Sequence, residues 1–213
     1  MTQVAAFTFN PFQENTYLIY DNSKECIIID PGCYQVEEKA TIIDFIQKNE
    51  LKPVRLINTH CHIDHVFGNR FISDAYDLDL EIHEGELVVL NTVTQVAKMY
   101  GIPYPEPSPL PKRYIQAGEI IGFGNTQLQT LFTPGHSPAS ISFYCEAAKF
   151  VVSGDVLFKS SIGRTDLPGG DFNTLINSIK TQLFPIGDEV KVYSGHGEPT
   201  TIGIERKTNP FLV

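Results

Sequence analysis

Residues 59–65 read THCHIDH, so three of the chain's six histidines and an aspartate crowd into one short window. Imidazole and carboxylate suit zinc, iron and manganese alike, with zinc bonds of roughly 2.0–2.2 Å. In an extended segment, residues two apart face the same way. His60 and His62 can therefore converge on one ion while Cys61 points elsewhere. Asp64 and His65 follow a turn and are placed to serve a second ion nearby. Four such groups around a single ion leave little room for water, so a pair of ions explains the crowding better. A cation also offsets the cost of gathering these groups in a cleft. The plainer alternative, a surface histidine cluster, fits poorly at the end of a compact apolar strand over 54–58.

Three more candidates lie downstream: His136 in TPGHS, Asp155 in SGDVLF and His196 in SGHGEP. Each follows a strand-like stretch and sits at glycine or a tight turn, where a loop can deliver a side chain to a shared point. His83 in LEIHEG opens a predicted helix and is read as structural. Cys61 is read as a thiol pointing into the wall rather than a nucleophile.

The elements that must position these groups follow from periodicity. Short strands are expected over 4–9, 16–20, 26–29 and 54–58. Residues 35–48 switch to a helical period, with Val36, Ala40, Ile43 and Ile46 on one face. A helix over 67–77, a strand over 80–83 and a helix over 85–99 follow. The stretch PYPEPSPLP at 103–111 places proline at every second position and reads as a stiff, exposed hinge between two halves. Beyond it, strands are expected over 119–123, 126–132, 140–144 and 149–153, then a helix over 172–182 and a last strand over 190–194. The two halves share a strand-then-helix plan with mostly hairpin-like connections.

The bulk composition excludes several classes. Apolar residues at 42 % and charged residues at 19 % belong to an ordinary globular chain, here read as one domain of residues 1–213. A net charge of −9 argues against nucleic acid or an anionic membrane as partner, although an anionic small molecule needs only a few local cations. The opening MTQVAAFTFNPF lacks a basic leader, and no stretch approaches the roughly 18 apolar residues of a membrane span. Cys26, Cys33, Cys61 and Cys145 form no CxxC pair, which points to reduced thiols and a cytoplasmic protein. Gly122-Phe123-Gly124 lacks the third glycine and the lysine of a phosphate-cradling loop.

Together, IIIDPG at 27–32, THCHIDH, TPGHS, GDVLFKSSIGRTDLPGGD at 154–171, SGHG at 194–197 and the closing ERKTNPFLV resemble the metallo-β-lactamase-fold hydrolases. Within them the chain is similar to the short bacterial glyoxalase II (hydroxyacylglutathione hydrolase)-like branch. The resemblance implies an α/β fold of the four-layer αββα kind, two β-sheets packed face to face with helices outside and metals at one edge. It implies two divalent ions, zinc first, with iron or manganese as alternatives. His60, His62 and His136 would hold one ion and Asp64, His65 and His196 the other, with Asp155 bridging. Asp64 and Asp155 are thus the carboxylates at the reacting centre, and Asp30 is an acceptor behind the ligand loop.

Two such ions can acidify a shared water to near neutrality and polarise a carbonyl. The implied reaction is hydroxide attack on a small-molecule thioester of the S-D-lactoylglutathione type. Arg164, then Lys159, are the cations expected to meet the carboxylates of a glutathione-derived substrate. The longer family members carry a C-terminal helical domain for which this sequence has no room after His196, which leaves the acyl and thiol parts open. The rival on the same scaffold is a persulfide dioxygenase with one iron on His60, His136 and Asp155; a lactonase is another. A metal-stabilised binding module would favour a closed, cysteine-rich site, and seven candidate ligands without cysteine argue against it.

Overall fold

The computed structural model describes residues 1–104 and 106–213; Pro105, inside the proline-rich stretch, lies outside the described residues. The chain divides into two compact units, Met1–Ile115 with Gly122–Thr126, and Gln116–Ile121 with Gln127–Val213.

The first unit is built on β1 (Gln3–Phe9), β2 (Glu14–Tyr20), β3 (Glu25–Ile29), α1 (Val36–Lys48), β4 (Lys52–Ile57), α2 (Ile63–Val66), α3 (Asn69–Tyr76), β5 (Leu80–Ile82), α4 (Leu87–Leu90), α5 (Val93–Tyr100) and β6 (Arg113–Tyr114). Among the described residues its sheet has six strands in sequence order. β1, β2 and β3 pair antiparallel, whereas β3, β4, β5 and β6 run parallel. Parallel neighbours need crossovers, supplied by the helices, so the connections are less hairpin-like than the sequence suggested. Leu18, Ile28, Leu56 and Leu80 from the sheet pack with Ile42 and Ile46 of α1 and Ile72 of α3. Glu38 fixes the start of α1, accepting the Gln35 amide at 2.9 Å and, from the loop after β1, the Asn10 amide at 2.7 Å.

The second unit follows with β7 (Ile120–Phe123), β8 (Thr126–Phe132), β9 (Ile141–Cys145), β10 (Phe150–Gly154), β11 (Leu157–Phe158), β12 (Ser161–Ile162), α6 (Phe172–Ser178), β13 (Lys191–Ser194), β14 (Thr200–Thr201) and α7 (Ile202–Thr208). The tip of its β7–β8 hairpin groups with the first unit. Sheet order is β14-β13-β10-β9-β8-β7, with β11 and β12 a small separate hairpin. Val151 and Val192 of the sheet pack against Leu175, Ile179, Leu183 and Ile202.

Several expectations need correction. The helix expected over 85–99 is a 3-10 turn at Glu84–Glu86 followed by α4 and α5. The break falls at Asn91-Thr92, where the Thr92 hydroxyl donates to the Val89 carbonyl at 2.8 Å and competes with regular helix bonding. The helix over 172–182 keeps α geometry only to Ser178, then widens over Ile179–Leu183 ahead of Pro185, which lacks an amide and crowds the preceding turn. β13 is not the last strand, since β14 and α7 follow. The proline-rich stretch is no free connector: Tyr34 donates to the Pro103 carbonyl at 2.9 Å and Arg70 to the Pro107 carbonyl at 3.2 Å, and the first unit runs on to Ile115.

Strand direction places the candidate residues. β3 and β4 run parallel with Ile29 opposite Ile57, so Asp30 and the histidine segment leave the sheet at the same edge. β10 and β13 run parallel with Gly154 opposite Ser194, which puts the loops of Asp155 and His196 side by side. β8 and β10 both pair antiparallel with β9, so the His136 loop also leaves at that edge. Side chains gathered outside the carboxyl ends of strands are the usual place for ligands in α/β sheets.

Candidate metal centre

In the first unit the histidine segment is pinned from behind by one carboxylate. Asp30, held at φ 49°, accepts the Thr59 amide at 2.7 Å on Oδ1 and the Thr59 hydroxyl at 2.6 Å on Oδ2. With its hydrogen committed there, Thr59 Oγ1 accepts from His60 Nδ1 at 3.0 Å. His65 Nδ1 lies 3.1 Å from Asp30 Oδ2. Both rings therefore carry their hydrogen on Nδ1 and turn the lone pair of Nε2 the other way, as metal-binding histidines do. The His60 ring centroid lies 4.1 Å from that of His65 and 4.8 Å from that of His62. Asp30, His60 and His65 each offer a ligand atom within 4.8 Å of the others.

A second layer of bonds holds the backbone of the same segment. Asn58 donates to the His65 carbonyl at 2.9 Å, Asn10 to the Asp64 carbonyl at 3.0 Å, and Glu86 accepts the Cys61 amide at 2.9 Å. The Cys61 thiol is fully buried, and burial pushes it well above the ordinary thiol range. Glu14 is also fully buried; desolvation raises its carboxyl well above the usual range, against the opposing pull of His65. His83 stands apart, its Nδ1 accepting the Gly85 amide at 3.1 Å to cap the 3-10 turn.

In the second unit three side chains meet. Asp155 Oδ2 lies 3.5 Å from His136 Nε2 and 3.4 Å from His196 Nε2. His136 Nδ1 donates to the Arg164 carbonyl at 2.7 Å, and because a carbonyl only accepts, this bond fixes the tautomer. Gly163 is required here, since a β-carbon would fall 2.0 Å from the Asp155 carbonyl oxygen. Gly135, at φ 127°, lets the His136 loop pass over Leu175 of α6, where a β-carbon would meet backbone at 2.3 Å.

The two expected substrate cations are exposed and each has a carboxylate. Arg164 bonds Asp166 through two nitrogens, both at 2.7 Å, which holds the Asp166 carboxyl down at about 2. Lys159 bonds Glu198 at 2.6 Å. Sequence reasoning missed Glu14, Asn58, Thr59 and Glu86, and it missed that Arg164 acts through its backbone oxygen. Asn58 precedes the heptapeptide and Thr59 opens it, so both were readable as neighbours that could hold the rings. The donor set passes a chemical test for a divalent ion: neutral imidazole nitrogens and carboxylates, anchored from behind, with no thiolate among them.

The family model described as Metallo-beta-lactamase superfamily matches residues 9–196. The chain belongs to the metallo-beta-lactamase superfamily. It is 37 % identical over 203 residues to the Hydroxyacylglutathione hydrolase GloC of Haemophilus influenzae, covering 94 % of this chain and 93 % of that one. It is 36 % identical to the Probable metallo-hydrolase YqgX of Bacillus subtilis, covering 95 % and 93 %. Among solved structures, the BLEG-1 B3 metallo-beta-lactamase shares 33 % identity at a TM-score of 0.90, covering 99 % of this chain and 100 % of that one. TTHA1623, solved in a di-iron-bound form, shares 38 % at 0.87, covering 98 % and 100 %. The expected metallo-β-lactamase fold, two mixed sheets with helices, is borne out, and the protein is a metallo-hydrolase of this superfamily. No helix among the described residues is long and apolar enough to cross a membrane.

Proposed function

We propose that the protein is a glyoxalase II-type thioesterase that hydrolyses S-2-hydroxyacylglutathione-like thioesters as one functional domain of residues 1–213 in the cytoplasm. The observation that carries the reading is the likeness to GloC along nearly the full length of both chains. The alignment takes in 93 % of that hydroxyacylglutathione hydrolase itself, which supports carrying its reaction over to this chain. The four cysteines, all free and buried, agree with a reducing compartment.

His60, His62 and His136 would hold one divalent ion and Asp64, His65 and His196 a second, with Asp155 shared. Bound there, two such ions supply an acidified water and Lewis-acid polarisation of the thioester carbonyl. The chain's own part is orientation. Asp30 and Thr59 set the rings of His65 and His60, the Arg164 carbonyl sets His136, and Asp155 lies within 3.5 Å of both His136 and His196. Arg164 and Lys159 would meet the substrate carboxylates by exchanging Asp166 and Glu198 for them. Zinc is the first choice and iron the alternative, given the di-iron form of TTHA1623.

A second reading, hydrolysis of a β-lactam amide, is favoured by the likeness to BLEG-1. The test is to purify the protein without added metal and measure zinc, iron and manganese per chain. Hydrolysis of S-D-lactoylglutathione, of a lactone and of a β-lactam is then assayed beside oxygen uptake with glutathione persulfide. Thioester turnover with two ions per chain is expected. A single iron with oxygen consumption would replace the thioesterase with a dioxygenase.

A further inference from the structure

The closing segment 205–213, part of the family likeness in sequence, forms a buried network in the structure. Glu205 is fully buried and uses both carboxylate oxygens. Oε1 accepts the Thr200 hydroxyl at 2.6 Å, and Oε2 accepts the Ser160 amide at 2.9 Å and the Asn209 side-chain amide at 2.8 Å. Asn209, also fully buried, donates from the same nitrogen to the Ser161 carbonyl at 2.9 Å and accepts the Phe211 amide at 3.1 Å. Ser160 lies in the turn between β11 and β12 and Ser161 is the first residue of β12; Ser160 holds φ 59°, a conformation serine seldom adopts without constraint.

That small hairpin joins the loops that carry the second unit's candidate ligands. It departs two residues after Asp155 and returns through Gly163 to Arg164, whose carbonyl accepts the His136 Nδ1 hydrogen at 2.7 Å. The return is packed tightly, as the absent β-carbon of Gly163 shows. The Leu157 carbonyl accepts the Ser194 hydroxyl at 2.7 Å, two residues before His196. A shift of the 160–161 turn therefore moves all three loops, and α7 grips that turn with a buried, fully bonded carboxyl side chain.

We propose that Glu205 and Asn209 are positioning residues: by clamping the 160–161 turn they hold the Arg164 carbonyl in place and, through it, the ring of His136. A buried carboxylate with three donors resists displacement, because each stranded donor would cost the desolvation penalty of an unmade bond. The inference rests on the proposed function only in taking His136 as a metal ligand.

The test uses the zinc-loaded protein of residues 1–213 and reads the histidine ring hydrogens by NMR. In the unchanged chain the His136 Nδ1 hydrogen should be downfield and slow to exchange. Glu205→Ala and Asn209→Ala should speed its exchange at least about tenfold and weaken zinc binding about tenfold in chelator competition. The His65 Nδ1 hydrogen, anchored by Asp30 in the other unit, should be unmoved, and Glu205→Gln, which keeps one acceptor oxygen, should recover part of the loss. A folded Glu205→Ala protein with His136 exchange and zinc affinity at the parent level would overturn the proposal. Equal disturbance of His65 would overturn it too, since that reports general loosening. Should Glu205→Ala fail to fold, Asn209→Ala decides by the same two readings. If the unchanged protein cleaves no thioester, the reaction assignment fails while the exchange result still stands by itself.

Discussion

Asp30 Oδ2 lies 3.1 Å from His65 Nδ1 while the same carboxylate accepts both the amide and the hydroxyl of Thr59. One buried side chain thus orients two imidazoles, His65 directly and His60 through Thr59. Asp30→Ala strands the Thr59 amide and frees both rings to turn. It should cost about 3 kcal/mol of stability and lower zinc affinity by about 10–100-fold, read by urea unfolding and chelator competition. Parent-level zinc affinity in the folded variant would reduce Asp30 to a turn former.

Asp155→Ala removes the carboxylate that lies 3.5 Å from His136 Nε2 and 3.4 Å from His196 Nε2. If that group is shared by both ions, metal content and hydrolysis should fall together, the latter by more than the about 10–100-fold typical of losing a residue that merely supports a ligand. Elemental analysis beside the thioester assay checks this. A variant that keeps its activity contradicts the bridging role.

The histidine heptad was legible because four ligand-type side chains fall within seven residues, and His136, Asp155 and His196 because each adjoins a glycine turn at a strand end. Of what supports them, Asp30 alone was named, and only through the family likeness. Asp30 and His65 meet across 35 positions, a pairing set by the parallel register of β3 and β4 that periodicity does not encode. The acceptor for His136 is a backbone carbonyl, which any residue supplies, so Arg164 was valued for its charge alone. β6, β11, β12 and β14 are two residues each, too short to show an alternating period. Glu14 and Glu86 look like surface acids in sequence and are fully buried in the structure.

His83→Ala separates a capping histidine from the ligands. Its Nδ1 holds the Gly85 amide at 3.1 Å, and burial lowers its pKa below the ordinary 6.5. Losing the cap should cost about 1 kcal/mol or less and leave metal per chain unchanged. Because the folded state favours the neutral ring, the parent should also lose stability relative to the variant as pH drops below 6.5, where the unfolded chain takes up the proton first. Disappearance of one ion in His83→Ala would mean the ligand set is misassigned.

Asp21 gives the first unit an acid-sensitive latch. Burial opposes its charge, but the Ser23 hydroxyl at 2.5 Å, the Ser23 amide at 2.8 Å, the Thr126 hydroxyl at 2.8 Å and the Asn125 amide at 2.7 Å outweigh it. Together they hold the pKa at about 2 against an ordinary 3.8. The folded state binds the proton less readily than the unfolded chain, so the stabilisation is complete above 3.8 and fades as pH falls through about 2. Asp21→Asn abolishes this titration. The stability gap between parent and variant should shrink by about 1–2 kcal/mol across that window, measured by urea unfolding at stepped pH. A gap that stays constant from the upper to the lower limit would show that these four donors do not favour the ionised form.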